Sequence, residues 1–232
     1  MPDVPALQPL PRKESEPLRD YALRVLRHNI VSLRMEPGRM YSEKELSDAL
    51  SLSRTPMRDA IQQLSHTGIV EIYPQRGTAV ALIDYDLVEE ARFIREALEC
   101  AVVRLLCRKI APEEIKELEG NVQRQRRCLM LNNLSGLMTL DLRFHELLFR
   151  FAGKLQCHEY VVNMTIHMDR VRSMALKAQK THPFVQQHEA LLDAIRAGDG
   201  ETASRLMSQH VSGYLVDRDA LCQMYPQYVK NA

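Results

Sequence analysis

The chain has 232 residues, 31 Lys and Arg against 30 Asp and Glu, a formal net charge of +1 and 45% hydrophobic residues. That length suits two small domains, each able to pack an apolar core, and no stretch approaches the eighteen apolar residues of a membrane span. The opening MPDVPALQPLPRKESEP has no apolar run of the secretory-signal kind. Five scattered cysteines without a C-x-x-C pair fit a reduced, cytoplasmic setting better than a disulfide framework.

In chain order, prolines and charges mark residues 1–16 as a flexible arm, and a first domain covers 17–82. Leu18 to Arg34 reads as a helix with Ala22, Val25, Leu26 and Ile30 on one side. Ser42 and Glu45 form an S-x-x-E capping box, which starts a second helix whose apolar face is Leu46, Ala49 and Leu50. Leu50-Ser51-Leu52 makes a turn, and Ser53 is placed to cap a third helix with Pro56 in its first turn. Met57, Ile61 and Leu64 face inward on that helix, leaving Arg54, Thr55 and Arg58 outward at its N-terminal end. Two short strands, near Ile69–Tyr73 and Thr78–Leu82, flank the turn Pro74-Gln75-Arg76-Gly77. This is a winged helix-turn-helix, whose third helix would enter a DNA major groove.

Net charge does not carry the DNA reading. Residues 1–82 hold 11 Lys and Arg against 10 Asp and Glu, and the remainder holds 20 of each. Placement carries it: Arg39, Lys44, Arg54, Arg58 and the Arg76-Gly77 hairpin fall where a winged helix meets a duplex, with Thr55 beside them.

The second domain, 83–232, is all helical, so the whole chain is mainly α: a winged helix followed by an antiparallel bundle. Asp84 can cap its first helix. Helices are expected near 84–108, 112–131, 135–152, 155–178, 183–197 and 200–216, with Pro112 as a helix start and Gly153 and Gly198 as stops. Cys100 and Cys107 read as buried thiols, and the eleven methionines as core filler.

Asp141 and His145 are four residues apart and share a helical face. His188 and His210 lie on two later helices that would be antiparallel neighbours. One carboxylate and three imidazoles suit a divalent metal, zinc first, with nickel or manganese as alternatives; an ordinary polar helix face is the plainer reading. His28 and His66 read as surface residues. His158, His167 and His182 have no matching partners, although His167 with Arg170 could line the same cavity. Arg95, among Phe93, Ile94, Ala97 and Leu98, needs an anion partner if it faces the bundle interior. That partner is either a nearby Glu or a ligand.

Residues Pro37-Gly38, Ser42-Glu43, Glu45-Leu46, Ser53-Arg54-Thr55-Pro56-Met57-Arg58, Ala60-Ile61, Gly68-Ile69-Val70 and Arg76-Gly77 closely resemble the GntR family of bacterial transcription regulators. From residue 84 to about 216 the chain resembles the FCD ligand-binding domain of that family's FadR branch. The resemblance is carried by Arg95-Glu96-Ala97-Leu98-Glu99, Asp141-Leu142-Arg143-Phe144-His145 and the run Gln187 to Asp199. Six expected helices bring it nearer the shorter, VanR-like members. The resemblance implies a homodimer on a double-stranded DNA operator, a divalent metal on Asp141, His145, His188 and His210, and a small organic or sugar acid facing Arg95. It implies a regulator rather than an enzyme. A metal-dependent hydrolase and a plain metal sensor are the alternatives, and effector, operator and sign of regulation stay open.

Overall fold

The computed structural model describes residues 7–178, 183–213 and 218–231. They gather into two compact units. One comprises the chain up to Val88 together with Ile166–Met174 and the segment from Asp219 onward; the other comprises Glu89–Thr165 and Ala175–Arg218. The expected boundary near residue 83 falls close to the first crossing at Val88, but two later segments join the N-terminal unit. No contiguous reading of the sequence signals that.

The first unit contains α1 (Leu18–Val31), β1 (Met40–Tyr41), α2 (Glu43–Leu50), α3 (Arg54–Ser65), β2 (Val70–Tyr73) and β3 (Gly77–Val80). The capping box forms: Ser42 Oγ accepts from the Glu45 amide, and the Glu45 carboxylate accepts from the Ser42 amide at 2.7 Å. Ser51 takes the left-handed conformation that ends α2. Ser53 makes no side-chain cap, contrary to expectation. Ala49 is exposed and Ser47 takes its place on the buried face. Leu26, Ile30, Leu46, Met57, Ile61, Leu64 and Ile69 form the core.

The strands pair antiparallel in the order β1-β3-β2. β1 is too short to show in a periodicity, but it decides what Gly77 does. A Cβ on Gly77 would sit 2.6 Å from the Tyr41 carbonyl oxygen, and the residue has a φ of +124°. Glycine is required there by the close approach of β1 to β3.

Residues 7–16 depart from the flexible arm expected of them. Leu7 is buried in the core of the first unit. The Gln8 amide donates to Asn29 Oδ1, and Arg24 is bidentate on Glu16. The start of α8 (Ile166–Lys177) belongs to this unit too, with Ile166 in its core. Arg170, fully buried, donates to the Ala81 and Leu82 carbonyls and, at 2.7 Å, to His167 Nδ1. Burial lowers Arg170 to about 9, so it stays charged at neutral pH. Burial, helped by Arg170, pushes His167 down to about 4. At the other end of the chain, Val229 bridges to Ile83 and Lys230 pairs with Asp84.

The second unit holds most of α4 (Tyr85–Arg108), then α5 (Pro112–Met130), α6 (Leu134–Phe151), α7 (Leu155–Met164), α9 (Phe184–Arg196) and α10 (Gly200–Ser212). Asp84 caps α4 through the Asp86 amide, and Gly153 and Gly198 end their helices with positive φ, as expected. The helix expected over 155–178 is broken at Thr165 into α7 and α8. Among the described residues, the stretch from Tyr85 to Ser212 therefore carries seven helices where six were expected. A further short helix, α11 (Arg218–Met224), follows. His182 and the end of the helix expected over 200–216 lie outside the described residues. No described helix is long and apolar enough to cross a membrane.

Two tests follow. Gly77→Ala should cost about 1–3 kcal/mol, the price of forcing a side chain into this backbone conformation, read as a lower urea midpoint with an unchanged slope. His167 offers a pH test. Its folded pKa lies below the unfolded value of about 6.5, so the unfolded chain binds the extra proton between about pH 6.5 and 4, and stability falls with pH across that window. Wild type should lose about 2 kcal/mol more than His167→Gln between pH 7 and pH 5. Equal losses in denaturant titrations would remove His167 from the account.

Candidate functional site

Two sets of residues stand out, one in each unit. In the first, Arg54, Thr55 and Arg58 are exposed on the opening turn of α3. Arg58 is not idle there: its Nε and Nη2 donate to the Glu43 carboxylate at 3.0 and 3.1 Å. The pair is solvent-exposed and therefore weakly held. Lys44 is exposed on α2. Arg39 lies over the Tyr41 ring and Arg76 over Tyr73 at the wing, 5.5 and 5.8 Å from the ring centroids. The aromatic rings orient both guanidinium groups.

In the second unit, Asp141 and His145 on α6, His188 on α9 and His210 on α10 are all buried, and a donor atom of each lies within 4.8 Å of the others. The sequence expectation that these four converge holds. Nε2 of His210 is 3.3 Å from Nε2 of His188 and 3.2 Å from Nε2 of His145. Asp141 Oδ1 is 3.7 Å from Nε2 of His188 and 3.9 Å from Nε2 of His145.

The opposite ring nitrogens explain this orientation. His188 Nδ1–H donates to Gln125 Oε1 at 2.9 Å, and His210 Nδ1–H donates to Gln187 Oε1 at 3.0 Å. The Gln125 amide is itself fixed, since its Nε2 donates to Asn121 Oδ1 while Asn121 Nδ2 donates to the Leu140 carbonyl. Phe144 stacks on His188 with centroids 4.1 Å apart. His145 Nδ1 lies 2.7 Å from Glu99 Oε2. With the ring proton on Nδ1, each imidazole turns an Nε2 lone pair toward the others.

Lone pairs facing one another at this distance repel unless a cation sits among them. The spacing also matches a known demand: tetrahedral nitrogen ligands at about 2.0–2.1 Å from zinc stand about 3.3 Å apart. The residues thus fit a divalent metal in donor type, burial and spacing.

Arg95 and Glu99 are both on the buried face of α4, and Arg95 Nε donates to Glu99 Oε1 at 2.7 Å. The internal ion pair is real, and among the described residues Glu99 is the only partner of the guanidinium. Phe93, two residues before Arg95, could hold the guanidinium against the interior only if it were buried. It is 68% exposed and cannot. His167 and Arg170 do not line this cluster; they belong to the first unit. The residues that sequence reasoning missed are the acceptors behind the histidines. Glu99 was detectable as the i+4 partner of Arg95, and Gln187 directly precedes His188. Asn121 and Gln125 had no signal beyond being polar residues on a helix face that turns out to be buried.

Residues 20–80 match the bacterial regulatory proteins of the gntR family, and residues 90–213 match the FCD domain. The chain is 33% identical over 198 residues to the HTH-type transcriptional repressor RspR of Escherichia coli K12, covering 85% of this chain and 87% of that protein. It is 27% identical over 183 residues, 78% of this chain and 80% of the relative, to a probable D-xylose utilization operon transcriptional repressor of Paenarthrobacter nicotinovorans. The solved structure of E. coli McbR/YncC shares the fold with a TM-score of 0.79 over 90% of this chain and 99% of that one, at 18% identity. RspR and the D-xylose operon protein carry the names of transcriptional repressors, and the hydrolase alternative finds no support in them. A winged helix followed by an FCD domain, with these relatives across both, places the chain in the GntR family of bacterial DNA-binding transcription regulators.

Proposed function

We propose that this regulator binds a palindromic operator as a homodimer in the cytoplasm, and that it responds to a small organic or sugar acid bound beside a divalent metal. The observation that carries the metal reading is the convergence of three Nε2 atoms and one carboxylate oxygen, with His188 and His210 held by glutamine oxygens at Nδ1 and His145 Nδ1 2.7 Å from Glu99 Oε2. Asp141, His145, His188 and His210 would hold the ion, and a three-nitrogen, one-oxygen set favours zinc over nickel or manganese. When bound, the ion supplies a Lewis-acidic centre that attracts an oxygen donor.

Arg95 supports the acid reading over a plain metal sensor. Its Nε is used by Glu99, which leaves the Nη edge of a buried guanidinium for a ligand carboxylate. A neutral or cationic ligand would leave that edge unmatched.

For DNA, Arg54 and Arg58 are the base-reading candidates, with Thr55 beside them, and Arg39, Lys44 and Arg76 would meet phosphates. On DNA, Arg58 would exchange the Glu43 carboxylate for the duplex.

Arg54→Ala should weaken operator binding by about 1–3 kcal/mol, whereas Lys44→Ala should instead flatten the salt dependence by about one unit. Gel-shift titrations at several salt concentrations separate the two, and an Arg54/Arg58 double variant with wild-type affinity would dismiss the recognition-helix assignment. For the effector site, calorimetry with Zn²⁺ and then a panel of hydroxy and sugar acids tests both parts. His188→Ala should lose metal and acid together; Arg95→Lys should keep the metal but bind the acid weakly, because the ammonium lacks the two-pronged edge. Unchanged acid affinity in Arg95→Lys would put acid recognition elsewhere.

A further inference from the structure

We propose that Glu99 is a positioning residue of the metal centre: its carboxylate, held by Arg95, fixes and polarises His145 so that this ring is the strongest nitrogen donor of the three. The inference rests on the metal reading of the Asp141, His145, His188 and His210 cluster.

Glu99 is 1% exposed. A carboxylate so deeply buried survives as an anion only with charged or donor partners on its oxygens. It has one on each. Oε1 accepts from Arg95 Nε at 2.7 Å, and Oε2 lies 2.7 Å from His145 Nδ1. Glu99 thus ties α4 to α6 one atom layer behind the cluster.

The three imidazoles are not equivalent in what stands behind them. His188 and His210 each face a neutral amide oxygen, from Gln125 and Gln187. Among the described residues, His145 has a carboxylate at its Nδ1 side. An anion at Nδ1 commits the proton to that nitrogen, aims the Nε2 lone pair at the centre and raises its basicity more than an amide can. It also adds negative charge near the ion beyond that of Asp141, offset in turn by Arg95. The alternative role for Glu99 is a staple between two helices with no bearing on the metal. A staple would affect the stability of the protein without metal and leave the affinity of the folded protein unchanged.

The test compares full-length wild type, Glu99→Gln and Glu99→Asp for Zn²⁺ affinity, by competition with a chromophoric chelator on protein verified as folded by circular dichroism. The cobalt-substituted spectra are recorded alongside. Glu99→Gln keeps size and an acceptor oxygen but removes the charge, and should weaken Zn²⁺ by roughly 10–100-fold and shift the cobalt ligand-field bands. Glu99→Asp keeps the charge but withdraws it by one methylene, and should fall between. It also serves if the Gln variant does not fold. Wild-type affinity and spectra in both variants, with His188→Ala unable to bind, would overturn the role of Glu99 while leaving the metal site standing. Wild type that fails to bind Zn²⁺ would overturn the metal reading and this inference with it.

Discussion

Buried imidazoles are tolerable in a helical core only if both ring nitrogens are accounted for. In this bundle the Nδ1 sides of three histidines are met by Glu99, Gln125 and Gln187, and that arrangement forces the Nε2 sides to face one another. Most of the unusual chemistry of the second unit follows. Asn121 and Gln125 occupy core positions on α5 that would otherwise be aliphatic, and their mutual hydrogen bonds and the Leu140 carbonyl satisfy them. A buried polar network of this kind contributes little to stability by itself, and it is costly when left incomplete. Its presence in the middle of a bundle is best understood through the centre that it orients.

The winged helix is built on a different economy. Its core is aliphatic, its turns are short, and its charged residues are spread on the surface in near balance. DNA affinity in such a domain comes from where a few arginines are held. Tyr41 and Tyr73 hold two of them by their ring faces, and Glu43 holds Arg58. The wing itself depends on the approach of β1 to β3, which leaves no room for a side chain at residue 77.

Two segments far along the chain complete this unit. The first turns of α8 supply Ile166 to its core, and Arg170 satisfies the carbonyls of Ala81 and Leu82 just after the wing. The stretch from Asp219 onward adds Val229 beside Ile83 and Lys230 beside Asp84. The residues that leave the DNA-binding domain are thus fastened by residues that belong, in sequence, to the ligand-binding half.

Local signals were sufficient for much of this protein. The capping box at Ser42, the apolar spacing of Met57, Ile61 and Leu64, and the glycine stops at 153 and 198 each depend on residues a few positions apart, and each formed as read. The four residues of the candidate metal centre were also legible, because Asp141 and His145 share a helical face and the family resemblance supplied the other two. What lay beyond the sequence was everything that depends on distant segments meeting. The break at Thr165, the burial of Leu7 and the insertion of α8 into the first unit turn on packing between residues many positions apart. So do the acceptors behind the histidines: a Glu or Gln on a helix is ordinarily a solvated residue, and only the closing of α4, α5, α6, α9 and α10 around one point removes the water and brings each of them to the Nδ1 side of its histidine.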